Sequence, residues 1–217
     1  MENNKVKKES SSIMKDAIIL FLITLISGLA LGYVYEITKA PIKVQQEEAK
    51  LEAYQKVFSD ANSLVVDEDL QQTADGIDLI SLDPTFKNIT IDEINKALDS
   101  SNNLIGYIVV VTTPEGYGGD IQLAIGYRTD GSVTGMEVLK MSETADLGTK
   151  SNEPEFKNQF KGKKVDQFAY TKDGATEDNQ IDAISGATIT TKAVVNAVNA
   201  GIGFIKEYAD LGGAVNE

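Results

Sequence analysis

Cysteine and histidine are both absent from the 217 residues of this chain. Without thiolates or imidazoles, it offers no ligands for a Cys-held iron–sulfur cluster, a Cys or His zinc site, or the usual haem ligation. Ser-His-Asp and Cys-His catalysis are excluded for the same reason. So are disulfides, which says nothing about compartment, because an exported domain need not have them. Any redox chemistry would have to be carried by an organic cofactor. Positive charge is also scarce, and the net charge is −13. Residues 1–43 hold six Lys against four acids, a net of +2, which leaves −15 for the remainder. An acidic domain of that kind repels nucleic acid and anionic lipid headgroups, so neither is expected as its ligand. No internal repeat or low-complexity tract stands out.

What is present begins with a long apolar run. Ala17 to Val34 is almost entirely apolar, and no charge falls between Asp16 and Glu36. About twenty such residues span the hydrocarbon core of a bilayer, so a transmembrane helix is expected. Tyr33 and Tyr35 suit its interfacial end. Small residues Ser27, Gly28, Ala30 and Gly32 either admit a neighbouring membrane helix or are ordinary membrane-helix composition. A cleaved signal peptide is the rival reading, and Ser27-Gly28-Leu29-Ala30 keeps it open. The run is longer than a signal core and no Ala-x-Ala site precedes Lys39, which favours a retained anchor. Lys5, Lys7, Lys8 and Lys15 precede the span and only Lys39 and Lys43 follow closely, so the N-terminus is expected in the cytoplasm. The expected organisation is a cytoplasmic segment 1–16, a membrane helix 17–36, a connecting helix 37–60 and an extracytoplasmic domain 61–217. Pro41 is expected to break the helix or mark a new start. Gln45 to Phe58 then reads as amphipathic, with Leu51, Tyr54, Val57 and Phe58 on one side.

Within the domain, Ser59 to Thr90 reads as loop-rich with a short strand near Ile77 to Ile80. Ile91 to Leu98 reads as a short helix. Strands are expected at Leu104 to Thr113, Asp120 to Tyr127 and Val133 to Leu139, the last two joined across the Asp130-Gly131 hairpin signal. The first pair is joined by Pro114-Glu115-Gly116-Tyr117-Gly118-Gly119, a turn for which hairpin chemistry is the favoured of two explanations, the other being a part in the site. A three-stranded antiparallel meander needs helical cover to bury its Ile and Val residues. The apolar recurrence at Ala193, Val194, Val195, Ala197, Val198, Ile202 and Ile205 supplies it, as a helix over Thr190 to Tyr208. The fold class is therefore α+β, an antiparallel sheet covered by helices behind one N-terminal membrane helix.

Asp182-Ala183-Ile184-Ser185-Gly186-Ala187-Thr188 sits at the doorway of that last helix. Backbone amides at a helix N-terminus lack internal partners and carry partial positive charge, which favours a bound phosphate. Gly186 and Ala187 keep bulk away, and Thr188 places a hydroxyl where the phosphate would rest. An ordinary helix cap is the competing explanation. Asp173-Gly174-Ala175-Thr176 has the same Gly-Ala-Thr ending, but Glu177 and Asp178 follow it and would repel a phosphate.

The pattern Asp-x-x-Ser/Thr-Gly-Ala-Thr resembles the flavinylation motif of FMN-binding subunits of membrane redox pumps. In that family a dedicated flavin transferase joins the FMN phosphate to the last Thr, so the resemblance implies covalent FMN on Thr188. It further implies that Asp182 is read by the transferase and that Ser185 belongs to the cofactor site; the Gly186, Ala187 and Thr190 amides are expected to hold the phosphate, with Thr191 and Lys192 nearby. Glu143-Thr144-Ala145-Asp146-Leu147-Gly148 resembles the family's Glu-Thr-Pro-Gly-Leu-Gly loop, so Glu143, Thr144, Leu147 and Gly148 are implied to line the flavin. Ala145 and Asp146 replace the Pro-Gly pair, and Met141 stands where a His is often found upstream. Lys163 either adds a charge near the cofactor or is an exposed surface lysine.

The order of features is most similar to the G subunit of the Rnf complex, an ion-translocating ferredoxin:NAD⁺ oxidoreductase. The C subunit of the sodium-pumping NADH:quinone oxidoreductase is the close alternative, usually with a longer chain. The resemblance implies an electron-transfer subunit in a bacterial or archaeal membrane, working with the other subunits and not turning over alone. Two readings from other classes remain beside it. One is a flavin-free, membrane-anchored binding or assembly domain, and the other is a standalone flavin reductase.

Overall fold

The computed structural model describes the backbone of residues 2–209, with side chains from residue 13. It begins with a single long helix, α1 (Glu2–Val57), and Pro41 lies inside it. The expected break at Pro41 is corrected. Proline removes one backbone bond and crowds the carbonyl four residues back, but one lost bond does not end a helix of 56 residues.

The chain divides into two units, 1–48 and 49–217. In the first, the apolar side chains from Ile18 to Val34 are exposed. Its most apolar window has a mean hydropathy of 2.4, long and apolar enough to cross a membrane. Side chains that no described residue buries, in a run of this length, suit lipid.

The second unit starts with the last turns of α1. A five-stranded antiparallel sheet follows in the order β1 (Ser63–Val66), β2 (Thr90–Leu98), β3 (Leu104–Thr113), β4 (Ile121–Arg128) and β5 (Val133–Met141). Between β1 and β2 lie α2 (Glu68–Gly76) and two single 3₁₀ turns, Leu79–Ser81 and Pro84–Phe86. The segment expected to be loop-rich with a strand at 77–80 is therefore helical, and its strand lies at 63–66. Asp67, Asp78 and Asp83 explain this, since each accepts a backbone N–H that opens its helix.

The third correction concerns 91–98, which is strand β2 and not a helix. Ile91 and Ile94 have helix-like spacing, and in a regular strand they would face opposite sides. A register shift between Ile91 and Glu93 inserts one extra residue, so both isoleucines enter the same core. The remaining elements are a 3₁₀ helix at Gly148–Asn152, α3 (Pro154–Lys157), the short parallel pair β6 (Ala169–Thr171) and β7 (Gln180–Asp182), and α4 (Thr188–Tyr208).

Both faces of the sheet are covered, which explains the unbroken buried run of β3. Tyr107, Val109 and Val111 face the core under α4, while Ile108 and Val110 face Tyr54, Val57 and Phe58 of the α1 end. Of the apolar side predicted for that helix end, Leu51 alone is exposed. Glu93 fastens the helix end to β2. Burial pushes its pKa up, but hydrogen bonds from Asn95 (2.7 Å), Lys50 and Tyr54 (3.0 Å), with the Lys50 charge, outweigh burial and hold the carboxyl below its usual range.

Helix α4 lies close to the sheet because Gly201 has no side chain. A Cβ there would stand 3.1 Å from Ile125 Cδ1 and Val111 Cγ2. Buried Asn199 donates to the Phe168 carbonyl (2.9 Å) and accepts the Phe168 N–H (2.8 Å), tying the preceding segment to the helix. Phe160 sits edge-on between Phe156 and Phe168, with ring centroids at 5.7 and 5.0 Å.

Candidate functional site

Three loops meet at one end of the sheet: the β3–β4 hairpin, the segment after β5, and the turn that leads into α4. Between them lies a cavity of about 500 Å³, lined by Tyr117, Glu143, Thr144, Leu147, Gly148, Gly186, Ala187, Thr188, Ile189 and Thr190. Its volume falls within the roughly 300–1,000 Å³ common for small-molecule and cofactor pockets.

The α4 wall is built around an open helix end. Thr188 is the first helical residue, and the N-cap is Ala187, which has no side-chain oxygen to give. The Ala187 N–H is already donated to the Ile184 carbonyl (2.9 Å), so it is not free for a phosphate, a correction to its expected part. The next amides, of Thr188, Ile189 and Thr190, belong to the first helical turn and have no partner within the helix. All three residues line the cavity. Gly186 takes φ +80, and a Cβ there would stand 3.3 Å from Leu147 Cδ2, so the turn closes directly under the leucine.

The opposite wall is organised by Glu143. Its Oε1 accepts the Tyr117 N–H at 2.8 Å, which joins the hairpin to the loop after β5. Its Oε2 is buried with no hydrogen-bond partner among the described residues. A Cβ on Gly148 would come within 2.3 Å of Oε2, and one on Gly116 within 2.7 Å of Oε1. On Gly118 a Cβ would strike the Ser142 carbonyl at 2.0 Å. The Gly-Tyr-Gly-Gly turn is thus more than hairpin chemistry: its glycines let the loop close around the carboxylate.

Asp146, where the resembled family has Gly, takes φ 60. That is the left-handed conformation Gly adopts without strain and Asp tolerates better than most residues. Its N–H is donated to Thr149 Oγ1 (3.1 Å). The substitution therefore leaves the turn intact.

The expected residues are only partly brought together. Glu143, Thr144, Leu147, Gly148, Gly186, Ala187, Thr188 and Thr190 share the cavity. Ser185 and Asp182 instead line a separate hollow with Gln159 and Phe156. The Asp182 carboxylate accepts the Ala175 N–H, and its own N–H is donated to Gln159 Oε1 (2.6 Å). Thr191 is buried, donating to the Ala187 carbonyl (3.0 Å) and accepting the Ile184 N–H (3.1 Å), so its hydroxyl braces the turn. Lys163 lies away from the cavity and pairs with Asp178 at 3.5 Å.

Thr176, at the end of the second Gly-Ala-Thr, sits between β6 and β7. Its hydroxyl and its N–H are both donated to Gln180 Oε1. Sequence reasoning gave no site role to Tyr117 and Ile189, which are 70% and 54% exposed at the cavity. A large aromatic between turn glycines was the available signal for Tyr117.

The residues fit FMN. The open first turn of α4 suits the phosphate, the Leu147, Ile189 and Tyr117 side chains suit a flat aromatic ring, and Thr188 places an oxygen at the helix tip.

The chain is similar to known proteins. Residues 116–203 match the FMN-binding domain family, and residues 1–57 match the RnfG N-terminal region. The G subunit of the ion-translocating oxidoreductase complex of Methanosarcina acetivorans is 33% identical over 91% of this chain and 96% of its own. The G subunit of the Na⁺-translocating ferredoxin:NAD⁺ oxidoreductase complex of Acetobacterium woodii is 30% identical over 91% and 94%. The proton-translocating counterpart of Clostridium ljungdahlii is 28% identical over 88% and 90%. The crystal structure of Shewanella oneidensis NqrC superposes with a TM-score of 0.44 and 22% identity, over 52% of this chain and 57% of that one.

Proposed function

The chain belongs to the G-subunit family of ion-translocating ferredoxin:NAD⁺ oxidoreductase (Rnf) complexes, and from that membership we propose that its Thr188 hydroxyl carries FMN through a phosphoester bond. The observation that supports this most is Thr188 as the first residue of an uncapped helix opening into the cavity. An ordinary cap would direct its oxygen back onto the first-turn amides from the N-cap position. Here that position is Ala187, and the threonine stands one residue further on. The Thr188, Ile189 and Thr190 amides would hold the phosphate, and the Leu147 and Ile189 side chains would pack on the ring. When bound, FMN supplies electron uptake and release, which the side chains of a chain lacking Cys and His cannot. The covalent bond keeps the cofactor on a domain outside the cytoplasm, where replacement is scarce. A flavin transferase is the partner in maturation, and the other complex subunits are the partners in electron relay.

Intact-mass spectrometry of the full chain, made together with a flavin transferase, tests the assignment. The expected result is the chain plus one FMN less one water, with the added mass on the peptide containing Thr188. An unmodified peptide would overturn it.

Orientation follows from the lysine distribution around the membrane helix, with the N-terminus in the cytoplasm and the FMN domain outside. The natural lack of cysteine gives a clean test. A Ser100→Cys chain, exposed at the β2–β3 turn, is expected to react with a membrane-impermeant maleimide in intact cells. Labelling only after permeabilisation would reverse the assigned orientation.

A further inference from the structure

We propose that Glu143 sets the reduction potential of the bound flavin, an inference that rests on FMN occupying this cavity. Among the described residues lining the cavity, Glu143 is the one charged side chain. The other nine contribute methyl groups, a phenol, hydroxyls and backbone. A carboxylate in such surroundings acts on the cavity's occupant with no opposing charged side chain among the lining residues. Its charge is also not cancelled: Oε1 receives one amide hydrogen bond, from Tyr117, and Oε2 is buried without a partner among the described residues.

The carboxylate is fixed in place as well as uncompensated. Gly116 and Gly148 approach its two oxygens so closely that any Cβ on either would displace it. The Tyr117 amide holds the near oxygen on the hairpin side. A side chain serving only to join two loops would be satisfied by one neutral acceptor for Tyr117. The second oxygen, carrying negative charge into the cavity wall, is what joining the loops does not require. A fixed negative charge beside a group that gains electrons disfavours that gain, so Glu143 lowers the flavin's midpoint potential.

The test uses the full chain made with a flavin transferase and purified in detergent, with wild type, Glu143→Gln and Glu143→Asp titrated potentiometrically by flavin absorbance. Glutamine keeps an acceptor for Tyr117 and removes the charge; aspartate keeps the charge. The expected result is a more positive potential for Glu143→Gln, by at least tenfold in the reduction equilibrium (about 30 mV for a two-electron couple). Glu143→Asp is expected to stay nearer wild type. A glutamine variant with the wild-type potential would overturn the proposal, as would an aspartate variant that shifts as far as glutamine. Loss of the fluorescent band in the glutamine variant alone would also overturn it, because the charge would then serve flavin attachment. A wild-type chain without flavin on Thr188 would instead overturn the reading on which the proposal stands, and the proposal with it.

Discussion

Thr188→Ala is expected to leave the chain folded and wholly without covalent flavin. The threonine is partly exposed at the first turn of α4, and its side chain is not part of the buried core. Alanine is also the best helix former, so little stability is at risk. What disappears is the hydroxyl proposed to form the ester at the helix tip. On a denaturing gel under ultraviolet light, the wild-type band should fluoresce and the Thr188→Ala band should not. Thr176→Ala should fluoresce like wild type, because Thr176 lies outside the cavity and hydrogen-bonds Gln180. A fluorescent Thr188→Ala band would remove the site assignment.

Phe160→Ala is expected to give the largest loss of stability. The ring is completely buried and meets Phe156 and Phe168 edge-on. Removing such a ring costs about 3–5 kcal/mol, a large share of the roughly 5–15 kcal/mol that holds a domain folded. The segment around it also supports the motif. Gly162 donates to the Val133 carbonyl (2.7 Å), and Gln159 exchanges hydrogen bonds with the Asp182 backbone. The unfolding midpoint in denaturant should therefore fall steeply, while protein kept at low temperature still accepts flavin at Thr188. An unchanged midpoint would mean that the cluster contributes little to the core.

Particular residues show where the sequence was legible. The membrane run, strands β3 to β5 and helix α4 were readable because each has one local pattern: a charge-free stretch, apolar runs bounded by turn residues, or helical recurrence. Strand β2 was misread because its bulge places Ile91 and Ile94 on the same face with helix-like spacing. Only pairing with β3 distinguishes the two possibilities. Helix α2 is not legible in the sequence because its nine residues are mostly polar and bury one side chain, Leu70, so periodicity has little to register. Pro41 was given a breaking power that the length of α1 absorbed.

The sequence by itself determined the chemistry that is ruled out, the membrane-spanning run and the identity of the candidate threonine. Those depend on residue types and on spacing along the chain. Only the tertiary structure decided which motif residues share a wall. Ser185 and Thr191 lie within three residues of Thr188 yet turn away from the cavity, while Tyr117 and Glu143 come to it from distant loops. The direction of a side chain at a turn is fixed by backbone hydrogen bonds and by what packs behind it. Those partners come from other parts of the fold.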